Sequence, residues 1–564
     1  MRLLKLAVVI TLAIGLLFGF SMLIALQPVQ AAATATLQSL IDAASDGGTI
    51  ILPAYTFHES LTVNKTLTLT GVSSSTTIIQ AVTGQRVITV TAGHDLRLEN
   101  LTVTGGQTSD VGGGIYLANG SLTLVNCRVV SNTAAYGGGI FQSGASGRVD
   151  VIGSRIELNT TTNHGGGLYV TGNAAFTNAL VLSNTATLHG GGVHAQSGRV
   201  DVNGGTFSNN RAVNGNGGAI NLNSQLSLSG TLIVSNTAIN GGGVQQWNTG
   251  PTVVITNTRF ERNLARSIGG GAAISGTFSI SASTFATNTV DSVDGSSTFG
   301  GGLYAGIAGQ ISASTFSGNL ALCAGGGSCS YADGGGLYDR GSNVSLTNVT
   351  FQSNRAGRMG GGMSSERSSP VLINVIFSGN KAGWGGGLNH ATGNPLLTNV
   401  LFSGNQAGWA GGMLASFDSP NLKHVTFSGN DGYNQGGGLL NYYGTPTLIN
   451  SIVWGNTAFN GPEIYNAEAN PVITITYSDI KFTGVYTGVG NINVDPRFVL
   501  PITYTAAPTT AGSYHLRAGS PAIDHGTNAG VTTDLEGRRR PLGNGYDMGA
   551  YEFQPLVYLP LVLK

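Results

Sequence analysis

The chain has 564 residues, 88 of them glycine, and its 26 lysines and arginines are balanced by 26 aspartates and glutamates. Charged residues make up only 9%, so no basic face for nucleic acid is expected, and nothing electrostatic calls for an anionic membrane or a strongly anionic polymer. Hydrophobic residues, at 41%, suffice for a continuous core, and the glycines lack the strict every-third-residue spacing of collagen.

Arg2 and Lys5 precede an apolar run from Leu6 to Leu26, and Val29-Gln30-Ala31-Ala32-Ala33 offers small residues for cleavage. This is the pattern of an export signal over residues 1–32. The run is long for such a signal, and a retained membrane anchor is the alternative; the polar sequence that follows favours cleavage. Thr36 is placed to N-cap a short helix with Leu37, Leu40, Ile41 and Ala44 on one face, stopped by Gly47-Gly48. The first strands follow at Thr49-Ile50-Ile51-Leu52-Pro53 and Thr66-Leu67-Thr68-Leu69-Thr70-Gly71, the second alternating as a half-buried strand should.

Beyond residue 110 the chain repeats. Gly-Gly-Gly begins at Gly112, Gly137, Gly165, Gly190, Gly241, Gly269, Gly300, Gly334, Gly360, Gly385 and Gly436, with near-copies at Asn216 and Ala410. Successive starts such as 112, 137 and 165 are 25 and 28 residues apart, and a fixed period of this size marks a solenoid with one shared core. Within a repeat, Val344 and Leu346 alternate with polar residues, then after a one-residue slip Val349 and Phe351 do the same. Such short runs between Asn, Gly and Ser turns are strands. The reading is all-β: a right-handed parallel β-helix over residues 33–480, with about fifteen coils and a length of roughly 70 Å at ~4.8 Å per coil. Asn126, Asn178, Asn257, Asn348, Asn374 and Asn399 share a turn position and are expected to form a side-chain ladder. A second column runs through Asn132, Asn184, Asn236, Asn354, Asn380, Asn405, Asn430 and Asn456, and Phe351, Phe377, Phe402 and Phe427 are expected to stack inside.

Cys323 and Cys329 flank a glycine-rich insertion and are expected to form a disulfide, whereas Cys127 falls on an inward position as a buried free thiol. The position after Gly-Gly-Gly-aliphatic holds Tyr116, Phe141, Tyr169 and His194 in successive coils, then Tyr304 and Tyr338. These rings, with Trp384 and Trp409, are expected to face outward and stack, and exposed flat aromatics suit sugar rings or a protein partner; shielding of turns is the plainer alternative.

The first coils, through Leu101-Thr102-Val103-Thr104-Gly105-Gly106, resemble those of the pectin-lyase-like β-helix superfamily, and the Phe-Ser-Gly-Asn…Gly-Gly-Gly repeats are similar to those of polymorphic outer-membrane proteins and related bacterial surface proteins. Residues 481–553 resemble a choice-of-anchor Q domain. The matching residues are Asn491-Ile492, Asp495-Pro496, Phe498, Tyr514-His515-Leu516, Ser520-Pro521-Ala522-Ile523-Asp524, Asp534, Gly537-Arg538 and Asp547-Met548-Gly549-Ala550-Tyr551-Glu552. That resemblance implies an exported bacterial protein with a sorting signal nearby. Its acids Asp524, Asp534, Asp547 and Glu552 are expected to pair with Arg538, Arg539 and Arg540 in a cap-like domain, a calcium site being the alternative. Residues 554–564 form an apolar tail too short to span a bilayer, either a sorting tag or an edge-pairing strand.

The enzymes of the resembled superfamily carry compact clusters of acids on one coil face, and the chain contains none of those motifs. The best catalytic candidates are Arg148, Asp150, Arg199 and Asp201, from a repeated Gly-Arg-Val-Asp. Two coils apart, the aspartates would sit ~10 Å from each other, and a solvated face of Arg/Asp pairs accounts for them better. Asp333 and Asp339 flank a glycine run as cation candidates, with a loop turn as the simpler reading, and His94-Asp95 does not recur. The sequence therefore reads as a secreted or cell-surface binding scaffold for glycans or protein partners. A polysaccharide lyase or glycoside hydrolase is the alternative and a passive stalk a third reading, with no cofactor required.

Overall fold

The computed structural model describes residues 29–30, 36–323, 331–467 and 473–555. Most of the expected export signal, Cys329 and residues 556–564 of the apolar tail lie outside them. A sheet of sixteen parallel strands follows strict chain order, each strand bonded to its counterpart in the next coil. The protein is thus a parallel β-helix of sixteen turns.

One coil shows how sequence becomes shape. Ser345–Gln352 forms a bent double strand, Arg355–Ala356 a short second face and Met363–Glu366 the third. The next coil repeats this with Val371–Ser378, Lys381–Trp384 and Leu388–Gly393. Register is set by the apolar alternation, so that Leu346, Leu372 and Leu397 stack inward. A one-residue slip would turn these leucines to solvent. The bend at the slip position is left-handed, with φ of +55° at Asn348 and Asn374 and +51° at Asn399. These three asparagines bond side chain to side chain at 3.0 Å. The ladder is shorter than expected. Asn178 is flanked at the same position by Gly153 and Gly204, and Asn257 by Gly230 and Ala282, all at positive φ. The position selects a residue that tolerates left-handed backbone, and asparagine is one of several.

The inner asparagine column is longer than its repeat pattern indicated. Asn159, Asn210, Asn263, Asn288 and Asn319 join the eight expected members. Each Nδ2 donates to the Oδ1 of the next asparagine at 2.8–3.0 Å. Each Oδ1 also accepts the backbone N–H of the preceding member, as Asn354 does from Asn319 at 3.0 Å. The second proton of each Nδ2 meets a strand carbonyl, Phe316 O for Asn354. Every buried amide in the column is therefore satisfied. Beside it, Phe260, Phe285 and Phe316 extend the expected phenylalanine stack through Phe427, with centroids 4.6–4.9 Å apart.

The glycine triplets form the corner between the second and third faces. The first glycine is left-handed, +67° at Gly360. At Gly361 a Cβ would lie 2.4 Å from Gly386 O, and at Gly362 it would lie 2.8 Å from the Phe377 ring. The near-copy at Asn216 is shifted by one: Gly217 carries the left-handed φ of +67°, so the replaced glycine is the third, by Ala219. At Ala410 the alanine itself takes φ of +60°.

The helix Leu37–Ala43 packs on the first coil, with Thr36 Oγ1 accepting Ser39 N–H at 3.2 Å and Leu37 and Ile41 fully buried. Glu59 from that coil accepts the Leu37 and Gln38 amides at 2.7 and 3.0 Å. The helix ends at Ala44, already extended, rather than at Gly47-Gly48, which instead turn the chain into the strand Gly48–Ile51. Cys127 is a buried free thiol, its pKa pushed up to about 11 by burial. Cys323 is disulfide-bonded.

The segment after the coils first pairs with the last one, Tyr477 N–H donating to Val489 O at 2.8 Å and Ile480 N–H to Ile492 O at 3.1 Å, and from Phe498 on it lies along the rod's flank. Phe498, Tyr514, Leu516, Met548 and Ala550 form one apolar cluster with Leu401 and Ile452 of the outer strand face. Asn399 and Asn450 side chains donate to Thr533 O and Thr527 O at 2.7 and 2.6 Å, and Thr426 Oγ1 accepts the Ala550 amide at 2.9 Å. Apolar residues on one outward column, Ile376 on Leu401 and, past Thr426, Ile452, made this docking possible.

Asn354→Ala would leave Asn319 with a buried amide and backbone N–H lacking an acceptor, a loss on the order of 1–3 kcal/mol. Gly361→Ala would force adjacent coils apart, costing about 1–3 kcal/mol. Both are expected to lower the unfolding midpoint in chemical denaturation, with amide exchange accelerated first in the coils on either side.

Candidate functional site

Asp150 and Asp201 do share one outward column, with Ala175 between them. Each is held by the arginine two residues earlier, Arg148 at 2.7 Å and Arg199 at 2.6 Å. The same i, i+2 pairing recurs at Arg97–Glu99 and Arg259–Glu261, so it is a property of this face, and such exposed pairs contribute little. At His94-Asp95, Asp95 accepts the Ser121 amide from the next coil at 2.8 Å.

Asp333 and Asp339 lie on strands, not loops, and the structure does not bring them together. Asp333 takes a two-pronged bond from Arg358 and the Met359 amide at 3.0 Å, and the Arg358 guanidinium lies 3.9 Å from the Tyr331 ring centroid. Asp339 points into the solenoid. Its carboxylate accepts bonds from Ser342, from Ser365 at 3.0 Å and from Ser368 at 2.8 Å. Two coils beyond Asp339, His390 bonds Asp418 through Nδ1 and Ser368 O through Nε2 at 2.9 Å. All these side chains are buried, and burial raises the pKa of both Asp339 and Asp418 against the hydrogen bonds that lower it. The cluster resembles catalytic machinery in composition, yet it is sealed inside the coils. Its spacing was readable, since Asp339, Ser365 and His390 each sit five residues after the start of a glycine triplet.

The expected aromatic column is real but its faces are taken. Tyr116, Phe141, Tyr169 and His194 occupy successive rungs with centroids 4.8–6.0 Å apart. A second column just before the glycines, Tyr136, His164 and His189, packs against them. The triplet corner folds two faces towards each other, so the rings are half-buried and His194 and Tyr338 are buried. Burial lowers the pKa of all three histidines, His194 to about 3. Trp384 and Trp409 stack at 4.2 Å and rest half-buried on Leu414 and Leu440.

The acids of the C-terminal segment mostly cap backbone amides. Asp534 accepts from Glu536, Arg538 and Glu552 N–H at 2.8–3.0 Å, and Asp547 from Asp524 N–H at 2.8 Å. Only Arg540 of the three arginines pairs with these acids, reaching buried Glu552 at 2.6 Å, while Arg538 pairs with Glu536 at 2.7 Å. Among the described residues no group of three or more His, Cys, Asp or Glu side chains is placed to hold a metal.

An open site lies where this segment meets the rod. A groove of about 680 Å³ runs between the turns of the last coils and the 3-10 turn Tyr504–Ala506. Tyr433 and Phe459 project from consecutive turns, 73% and 87% exposed, and Tyr504 faces them at 46%. Gln406, Asp431 and Thr457 stack as its floor. Asp431 accepts from Gln406 Nε2 at 3.2 Å and Tyr433 N–H at 3.0 Å, and Gln406 also reaches Ala507 O at 3.2 Å. The Tyr433 backbone is held at φ of +37°, a strained conformation for a tyrosine of the kind that persists where the surroundings impose it. Sequence reading missed the site because one wall comes from a distant segment; the 26-residue spacing of Tyr433 and Phe459, one coil, was its visible trace.

A smaller pocket of about 370 Å³ lies at the C-terminal end of the rod against Glu463, Lys481 and Tyr486. Glu463 ends the asparagine ladder, accepting Asn456 Nδ2 at 2.6 Å and the Gly455 and Asn456 amides. Burial pushes its pKa up to about 7 against those bonds, and burial does the same for Asp479 nearby.

No protein-family model and no curated protein matches the chain. Among solved structures, the A-module of mannuronan C-5 epimerase AlgE6 from Azotobacter vinelandii is similar at 13% identity and TM-score 0.26, covering 79% of this chain and 94% of that one. Pectate lyase Pel9A is similar at 11% identity and TM-score 0.19, covering 92% and 91%. The Agl-KA catalytic domain is similar at 12% identity and TM-score 0.18, covering 76% and 62%. The β-helix itself is read from this chain's own strand pairing, and these likenesses carry no residue-level correspondence.

Glu463 and Asp479 hold their protons more tightly folded than unfolded, where 4.5 and 3.8 are ordinary. The stability they contribute is full at low pH and is lost as pH rises from about 4 to about 7. Chemical denaturation across this range should show that slope, and Glu463→Gln with Asp479→Asn should flatten it.

Proposed function

We propose that this protein is an exported, surface-displayed β-helix that binds polysaccharide without cleaving it. The observation that carries the reading is the junction groove: three exposed aromatic rings frame a polar floor served by one carboxylate. Concave sites with flat rings and a few placed polar groups suit sugars. Glycoside hydrolysis ordinarily needs two carboxylates flanking the bond, and Asp431 is the only acid lining this groove. The Asp150–Asp201 pair stands outside it, each aspartate engaged by its own arginine. The export-signal pattern of residues 1–32 and the anchor-type resemblance of the C-terminal segment support a location outside the cytoplasm.

The test is a polysaccharide panel with purified protein, scored for retention and for release of reducing or unsaturated ends, with and without calcium. Retention without release is the expected result. Release that persists on repurification would overturn the binding reading in favour of a lyase or hydrolase.

A further inference from the structure

Resting on the glycan-binding reading, we infer that the junction groove selects an uncharged sugar chain laid along the rod axis and rejects polyuronates.

The direction follows from the rungs. Phe459 N–H donates to Tyr433 O at 2.8 Å, so the two rings are carried by adjacent coils, ~4.8 Å apart at strand spacing. A pyranose unit spans a comparable distance, so successive sugars of a chain parallel to the axis meet successive rings. Tyr504 closes the third side from the flanking segment. That wall is fixed to the coils by Gln406 Nε2 on Ala507 O at 3.2 Å and by Thr509 N–H on Gly404 O at 3.0 Å. The rings are therefore positioned before a ligand arrives, which lowers the ordering cost of binding.

The selectivity follows from charge. The groove is lined by one ionisable acid, Asp431, and by no lysine or arginine. Both Asp431 oxygens already accept bonds, from Tyr433 N–H and Gln406 Nε2, and neither donor is charged. The nearest cation of that column, Lys381, lies one rung beyond Gln406 and outside the lining. A uronate carboxylate entering here would meet a negative charge with no compensating partner, whereas a neutral hexose brings hydroxyls that pair with Asp431, Thr457 and Thr505 at no such cost.

The experiment is affinity electrophoresis of the full chain in gels containing hydroxyethyl cellulose or galactomannan, against polygalacturonate or alginate. A neutral chain should retard the protein and the polyuronates should not. Tyr433→Ala and Phe459→Ala should each weaken retardation about tenfold. Both side chains are exposed, so their unfolding midpoints should match the parent protein. Asp431→Lys should bring on polyuronate retardation. Parent protein retarded by a polyuronate and released by Tyr433→Ala would overturn the selectivity while leaving glycan binding intact. Neutral-chain retardation unchanged in both aromatic variants would overturn the placement in this groove. Retardation by none of the four polymers would overturn the selectivity and the glycan-binding reading together.

Discussion

Everything in this molecule depends on coils lying one strand spacing apart along three faces at once. That spacing is set by backbone hydrogen bonds, and it leaves no room for a side chain at the middle residue of the sharpest corner. The glycine triplets answer this constraint directly: at Gly361 the space a Cβ would need is filled by the next coil's Gly386 carbonyl. The phenylalanine stack and the asparagine ladder follow from it. Planar groups repeated at strand spacing can lie face to face, and amides at that spacing can bond to one another without water.

The same constraint seals the polar groups inside the coils. Asp339, His390 and Asp418 have the makings of a reactive cluster, yet inward positions of a closely packed solenoid admit no substrate. A groove with two walls needs a break in the regular stack. Here the interruption is the C-terminal segment docking on outward Ile376, Leu401 and Ile452, which creates a second wall that the coils alone lack.

Much of the fold was legible because each coil repeats the same demands. Asn354, Phe351 and Gly360 recur at fixed offsets, so their roles could be read from periodicity alone. What stayed hidden was whatever broke the period. Asn159, Asn210, Asn263 and Asn288 sit in coils whose flanking residues differ, whereas Asn319 carries the same Phe-Ser-Gly-Asn as Asn380 and was legible from the repeat. The exposed character expected of Tyr116, Phe141 and Tyr169 failed because periodicity reports a side chain's direction and not what another face folds over it. The junction groove was invisible for a stronger reason: Tyr433 and Tyr504 are brought together only by docking of a non-repeating segment, which leaves no periodic signal. Among the candidates the sequence offered, Asp150 and Asp201 were correctly placed on one column, and only the structure showed each engaged by its own arginine.

The asparagine ladder has a direction. From one asparagine to the next, each side chain donates towards the C-terminus and accepts from the N-terminal side, beginning where the Gly106 amide donates to Asn132. Such a column can be lengthened by any coil that brings one more asparagine, but it closes only on a group that accepts and need pass nothing onward. Glu463 is that group. The terminator comes from another column: Glu463 aligns with Gly438, the third glycine of the preceding corner, and reaches across its own coil to take the last asparagine's proton.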